Sequence, residues 1–239
     1  LNCKLQGLKV IEGLSFYELL SGKVLATQAP PSWLIFSEGF RRHKFFVLGK
    51  RVLDVGLSLS GIILASPLMV VIAPAIRLSS PGPVFFMQTR VGQREKPYKV
   101  VKFRTMKADA EKGDQAVWAS AKDPRVTKLG HFLRKFRLDE IPQFWNVLKG
   151  EMSFVGPRPE RPEFVEQLKA RLPYYGERHT VKPGITGWAQ VNYPYGASEE
   201  DALRKLEYDL FYIKNMSLLM DLYIVLKTVK TVITGEGAR

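Results

Sequence analysis

Cysteine is nearly absent: Cys3 is the single one in 239 residues. No disulfide can form within the chain, and no metal site can be built from cysteine. Histidine is also scarce. His43, His131 and His179 are too scattered for a metal-binding spacing and read as surface or packing residues. There is no Walker-type glycine loop and no dinucleotide fingerprint, which sets aside two frequent phosphate cradles. No internal repeat, low-complexity tract or secretory signal is evident. The first residue is Leu1 rather than Met, which reads as a fragment of a longer protein. Acids are the minority charge, 23 against 36 Lys and Arg, for a net charge of +13. That excess suits anionic partners: phosphorylated substrates, nucleic acid or acidic lipid headgroups. Scarce cysteine and positive charge together fit the cytoplasmic side of a membrane. The length allows one large domain or two small ones with a real core.

Charge is missing altogether from Val55 to Ile76, "VGLSLSGIILASPLMVVIAPAI". As a helix this stretch measures roughly 33 Å, about one hydrocarbon core. Ser66-Pro67 falls in its middle. Pro67 has no N–H and crowds the preceding turn, so a kink is expected there. Cations flank both ends: Arg41, Arg42, Lys44, Lys50 and Arg51 before, Arg77, Arg90 and Arg94 after. The lack of asymmetry allows both ends to face the cytoplasm. A hairpin that enters and leaves by one leaflet fits, with a simple kinked span as the alternative. The preceding "WLIFSEGFRRHKFF" mixes aromatics with cations, as membrane interfaces do.

Elsewhere the patterns are short. Leu8–Glu12 reads as a strand and a helix opens near Ser15, with Pro30-Pro31 as punctuation. Pro83–Met106 reads as strands. Asp123–Gly130 is a turn into a helix marked by Leu129, Phe132, Leu133 and Phe136. A second periodic run holds Leu138, Ile141, Trp145 and Leu148, with Gly150 placed to end it. "VKPGITGWAQVN" reads as loop and strand. Ser198 to Asp201 resembles a capping box opening a helix to about Lys214. Ser217 opens the last helix, which closes near Gly235. Asp221, Lys227 and Lys230 make that helix an unlikely span and suit a position on the protein or membrane surface.

The chemistry concentrates in "RLDEIPQFWNVLKGEMSFVGPRPE". Pro142 belongs in a first helical turn, so a helix is expected from about Leu138–Glu140. That puts Asp139 and Glu140 at a helix N-terminus, where free N–H groups favour ionised acids. One acid could be a nucleophile while the other binds metal or handles a proton; both could equally be ordinary capping acids. Arg158, between Pro157 and Pro159, is a pre-positioned guanidinium suited to phosphate. Lys99, Lys102 and Arg104 stand in "KVVKFRTM", and Arg134, Lys135 and Arg137 just before the acids. A metal bridging the acids and a diphosphate would complete a phosphoryl-transfer site. A membrane-tethered basic module for nucleic acid, or a scaffold, would not need the acids. Few aromatics interleave with the basic strand as single-strand binders require, so nucleic acid is not expected.

"KFRTM", "LRKFRLDEIPQFWNVLKGEMSFVGPRPE" and "KPGITGWAQVN", in this order after a Ser-Pro hydrophobic segment, resemble the monotopic phosphoglycosyl transferases, the bacterial sugar transferase family. The resemblance covers roughly Lys50 to the C-terminus. It implies an α/β (α+β) fold: a mostly helical cytoplasmic catalytic domain with a re-entrant membrane helix and amphipathic interfacial helices. The implied layout is residues 1–30 as the tail of an upstream nucleotide-binding-like domain, 31–50 as an interfacial linker or helix, 51–77 as the helix-break-helix insert and 78–239 as the catalytic domain. The implied reaction moves a hexose 1-phosphate from a UDP-sugar to polyprenyl phosphate and releases UMP, at the cytoplasmic face of the bacterial inner membrane. By resemblance Asp139 is the nucleophile. Glu140 is its partner, associated with Mg²⁺, the two acids forming the metal site. Arg134 and Arg158 bind phosphate, and Lys102 and Arg104 of the KFRTM motif and Asp221 at the late acidic position also bind substrate. Lys182, Gly184, Thr186, Gly187 and Gln190 fall in a nucleotide-side loop, and Ser66 and Pro67 form the membrane break. The sugar and the oligomeric state, a homodimer among the options, are left open.

Overall fold

A 36-residue helix, α2 (Lys44–Ser79), sets the frame. The computed structural model describes residues 11–32, 43–107, 123–194 and 198–234, with Gln6, Phe40 and Gly196. Ahead of α2 comes α1 (Gly13–Ser21). After it, β1 (Phe85–Val91) and β2 (Pro97–Phe103) form an antiparallel hairpin with Phe85 opposite Phe103 and Val91 opposite Pro97. Then follow α3 (Lys128–Lys135), a 3-10 turn (Leu138–Glu140), α4 (Gln143–Lys149) and β3 (Ser153–Val155). Next are α5 (Pro162–Arg171), a second 3-10 turn (Tyr175–Thr180), β4 (Gly184–Thr186) and α6 (Trp188–Asn192). The described chain ends with α7 (Glu199–Lys214) and α8 (Leu218–Thr234). β3 and β4 pair in parallel, Ser153 with Gly184 and Val155 with Thr186. The fold is thus mostly helical with two small two-stranded sheets, as expected.

Local signals explain most boundaries. Thr127 caps α3 by accepting from Gly130 N at 2.9 Å. Gly150 ends α4 at φ 85°, a conformation that suits glycine. Ser198 and Asp201 close a reciprocal capping box on α7. Two expectations shift. WAQVN is helical (α6) rather than extended. The helix expected from Leu138 starts after Pro142 instead, because Pro142 has no N–H to give the Leu138 carbonyl; Ile141 N takes that carbonyl at 3.3 Å in a tighter turn. Ile11 and Glu12 are not in a strand, and the rest of the Leu8–Glu12 expectation lies outside the described residues. So do residues 33–39 and 41–42 of the 31–50 linker, and the helix stop near Gly235.

α2 is helical without interruption through Ser66-Pro67. The hydrogen bond that Pro67 cannot make would have gone to the Ile63 carbonyl. The Ser66 hydroxyl donates to that same carbonyl at 2.8 Å, so the proline leaves no orphaned acceptor. Only 11% of the helix's most apolar window is covered by the rest of the protein. Leu64, Val70, Val71 and Leu78 are among the exposed side chains. α8 likewise exposes Leu219, Leu222, Leu226 and Val229 while burying Asp221, Ile224 and Val225.

Polar groups tie α2 to the domain near both ends. Arg51 donates to the Val147 and Leu148 carbonyls, both at 2.7 Å, capping α4. Buried Asp54 accepts from Ser153 Oγ at 2.9 Å and Phe154 N at 2.8 Å. Lys50 reaches Asp221 at 2.7 Å. At the far end, Arg104 donates to the Ser80 and Pro81 carbonyls at 2.6 and 2.9 Å. Lys50 and Arg51 were read as flanking charges; here they are internal fasteners. Between the two ends, Gly61 lies so close to the Phe144 ring that a Cβ would sit 2.7 Å from it.

Residues upstream of α2 share the same core. Val24, Ala26 and Ala29 are buried with Val165, Leu168, Tyr175, Leu206 and Leu210. Trp188 Nε1 donates to the Gly22 carbonyl at 2.7 Å, and Tyr174 Oη to that of Ala29 at 2.8 Å.

Candidate active site

The tight turn after α3 carries both acids inward: Asp139 is 8% exposed and Glu140 6%. Arg137, just ahead, takes the left-handed conformation at φ 52°, which reverses the chain between α3 and the turn. Two cations converge on one oxygen of Glu140. Lys102 Nζ, from the end of β2, lies 3.0 Å from Oε1, and Arg158 Nη2 lies 2.8 Å from the same atom. Arg134, on the last turn of α3, donates through Nε to Thr105 Oγ1 at 2.9 Å.

The two acids differ in electrostatics. Burial alone would raise Glu140, but Arg158, Lys102 and Arg137 outweigh it and hold this carboxyl well below the usual carboxylate range. Asp139 is pushed up to about 6, first by burial and then by the neighbouring charge of Glu140; Lys102, Arg134 and Arg158 only partly offset this. The expectation that a helix N-terminus would keep Asp139 readily ionised is therefore corrected: the acids sit on a buried 3-10 turn. Neither oxygen of Asp139 has a hydrogen-bond partner among the described residues, and only Oε1 of Glu140 does.

Five of the expected residues come together: Asp139, Glu140, Lys102, Arg134 and Arg158. Arg137 joins them, and the expected set had left it out; its backbone conformation carries no sequence signal. Arg104, two residues from Lys102, spends its donors on the end of α2 instead. Asp221 is fully buried and bonded to Lys50 and to Tyr212 Oη, the latter at 2.7 Å. Ser66 and Pro67 lie on α2, away from these contacts.

The KPGITG residues stand behind the Arg158 loop. A Cβ on Gly184 would fall 2.1 Å from Gly156 N, and one on Gly187 2.2 Å from Gly156 O, so both glycines permit close backbone approach. Thr186 Oγ1 contacts Thr228 Oγ1 at 2.6 Å, and Gln190 Nε2 donates to the Ile185 carbonyl at 3.1 Å. The Lys182 ammonium lies near Gly150. Burial, then the positive charge of Arg51, lowers its pKa. His179 is buried beside Tyr175, a packing role as expected, and burial pushes it down to about 4.

The buried acid pair and its four cations thus sit in a domain that also carries the largely uncovered apolar helix α2. The bacterial sugar transferase family model fits residues 45–235. The chain belongs to the bacterial sugar transferase family. Among its relatives is the UDP-N-acetylgalactosamine-undecaprenyl-phosphate N-acetylgalactosaminephosphotransferase of Aeromonas hydrophila, 49% identical over 190 residues, 80% of this chain and 45% of the relative. The UDP-glucose:undecaprenyl-phosphate glucose-1-phosphate transferase of Escherichia coli is 49% identical over 182 residues, 75% of this chain and 39% of the relative. The protein of the same name in Caulobacter vibrioides is 42% identical over 193 residues, 80% of this chain and 72% of the relative. The chain thus spans less than half the length of the first two. The family match begins at residue 45, beyond the segment of residues 11–32 that packs into the catalytic core.

Proposed function

We propose that this chain is the catalytic part of a transferase that moves a hexose 1-phosphate from a UDP-sugar to undecaprenyl or a similar polyprenyl phosphate. The observation that carries the reading is the division of labour in the acid pair. Glu140 is fixed by two cations, whereas the carboxylate of Asp139, next to it and among the same charges, has no hydrogen-bond partner among the described residues. In the first step an Asp139 oxygen attacks the sugar-linked phosphorus of the UDP-sugar. The bond from that phosphorus to UMP breaks, and UMP leaves with the electron pair. In the second step an oxygen of the lipid phosphate attacks the same phosphorus and releases the Asp139 carboxylate. Lys102, Arg134, Arg137 and Arg158 neutralise the phosphates throughout, which two anions meeting in one site require.

The uncommitted oxygens of Asp139 and Glu140 are hard donors of the kind Mg²⁺ takes, one or two carboxylates with the rest from water and substrate phosphate. No cluster of three or more metal-binding side chains exists among the described residues, in keeping with a cation shared with substrate. Bound there, Mg²⁺ would supply charge neutralisation on the diphosphate.

The test omits the lipid. Enzyme, Mg²⁺ and UDP-sugar should yield UMP and a mass increase of one hexose phosphate on Asp139. UMP formed only with lipid present, and no trapped adduct, would favour direct transfer in a ternary complex. The relatives' names divide between glucose and N-acetylgalactosamine. A panel of UDP-sugars in the same assay assigns the sugar.

The proposal includes a re-entrant α2 and a catalytic domain on the cytoplasmic face. Its support is that fasteners at Lys50–Asp54 and at Ile76–Pro81 join both ends of the helix to one domain. From Asp54 to Ile76 the helix rises through 22 residues, roughly 33 Å, about one hydrocarbon core, so a span would carry the two sets of fasteners to opposite faces. In a Cys3→Ser background, Phe45→Cys and Leu78→Cys should be labelled from the same side of sealed inverted vesicles. Labelling from opposite sides would discard the re-entrant arrangement.

A further inference from the structure

The loop that presents Arg158 is held by its carbonyls. Four in succession each receive a donor, from Gly184, from Arg178 and from the neighbours Arg90 and Val91 at the end of β1. Pro157 O accepts from Gly184 N at 2.9 Å, and Arg158 O from Arg178 Nη2 at 3.1 Å. Pro159 O accepts from Arg90 Nη1 at 3.1 Å, and Glu160 O from Val91 N at 3.0 Å. A cavity of about 10 Å³ lies behind the loop, lined by Pro157, Arg158, Pro159, Arg178 and His179.

Among the described residues, Arg178 is the donor to the Arg158 carbonyl itself. It comes from the second 3-10 turn and is buried. Its Nη2 also donates to Asp209 Oδ2 at 2.8 Å, and its Nη1 to Tyr175 Oη at 2.6 Å. The guanidinium carbon stands 4.9 Å from the centre of the Tyr175 ring. Asp209 belongs to α7 and is buried as well. A planar fork locked by an acid and a phenol has little freedom to shift. It carries no contact to the acid pair, so whatever it does for the reaction passes through Arg158.

We propose that Arg178, locked by Asp209 and Tyr175, is a positioning residue that fixes the Arg158 main chain so that the Arg158 guanidinium stays on Glu140 and on the substrate phosphate. The proposal rests on the reading of Arg158 as a phosphate ligand. The competing account is that the Arg178–Asp209 pair only stabilises the fold.

Truncating Arg178 alone would strand a buried Asp209, so the test replaces the whole group with neutral residues of similar size: Tyr175→Phe, Arg178→Met and Asp209→Leu together. Such swaps of buried ion pairs are often tolerated. The triple variant should melt near wild type, yet lose on the order of tenfold to a hundredfold in the rate of UMP release, as misplacing a substrate-binding group does. The same three changes in an Arg158→Ala background should cost no more than about twofold further, because residues acting as one unit are not additive. Equal fold losses in both backgrounds would overturn the proposal, as would a wild-type rate for the triple variant while Arg158→Ala is slow. A wild-type rate for Arg158→Ala itself would bring down the phosphate-ligand reading and the proposal with it. If the triple variant does not fold, Arg178→Lys enters the same cycle. It keeps a charge opposite Asp209 but offers one ammonium in place of a fork with two aimed nitrogens.

Discussion

Asp139→Asn is expected to abolish sugar-phosphate transfer and, at the same time, to make the protein more stable near neutral pH. Loss of transfer follows from chemistry: an amide is not a nucleophile toward a phosphorus centre, and among the described residues no other carboxylate without a hydrogen-bond partner stands among these cations. The gain in stability follows from the pKa of about 6 that burial, and then Glu140, impose on Asp139. The unfolded chain ionises this side chain near 3.9, so between roughly pH 4 and 6 the folded protein binds the extra proton. Raising the pH through that window therefore lowers stability, and above pH 6 the whole cost of a buried carboxylate is present. For a displacement of this size that cost is about 2–3 kcal/mol. Asparagine has nearly the same shape and no charge to desolvate. In EDTA and without substrate, the variant should melt roughly 4–10 °C above wild type at pH 7.5. The gap should narrow below pH 6 and vanish near pH 4. A variant no more stable than wild type at pH 7.5 would mean that Asp139 is not a strained, desolvated acid. Residual transfer close to wild type would remove it as the nucleophile.

That strain was not visible in the sequence. The motif names the acids, and Pro142 marks a helix start beside them, but a proline within the first turn and a proline just before it leave the same trace. The choice was made by one missing N–H, which turned the acids onto a 3-10 turn and into the interior. Signals confined to a few neighbouring residues fared better. The Gly150 stop and the Ser198–Asp201 box each act within a turn or two of themselves, and the uncharged run of α2 is one continuous stretch. Long-range polar pairs were the opposite case. Arg104 follows Lys102 by two positions in one motif, yet one caps α2 while the other holds Glu140. Val24, Ala26 and Ala29 were expected in the tail of an upstream domain and are core here because α5 and α7 offer them a surface. Nothing periodic announces a contact made across more than a hundred residues. Lys50 and Asp221, 171 positions apart, had separate readings as a flanking charge and a substrate ligand.

For that pair the expected result of Asp221→Ala is loss of the fold before loss of chemistry. Asp221 is 0% exposed and takes Lys50 Nζ at 2.7 Å and Tyr212 Oη at 2.7 Å. Lys50 Nζ also reaches the Val155 carbonyl at 3.1 Å, so one ammonium joins α2, β3 and α8. Burial pushes the Asp221 carboxyl up, although Lys50 and Tyr212 work against this. Removing the acid leaves a buried ammonium with two neutral acceptors, a situation that costs about 3–5 kcal/mol. Asp221→Ala should therefore melt well below wild type, by roughly 6–15 °C. Its activity should fall in step with the folded fraction. The neutral pair Lys50→Met with Asp221→Leu separates structure from chemistry. It restores packing without charge, and Tyr212 Oη keeps the Val155 carbonyl at 3.2 Å as a partner. If Asp221 acts only by fastening α2 and α8 to β3, this double variant should recover most of both the melting temperature and the rate of UMP release. A double variant that folds like wild type but transfers no sugar phosphate would return Asp221 to the substrate site. The distance from these bonds to the acid pair would then have to close during turnover, through the short path from Val155 to Arg158.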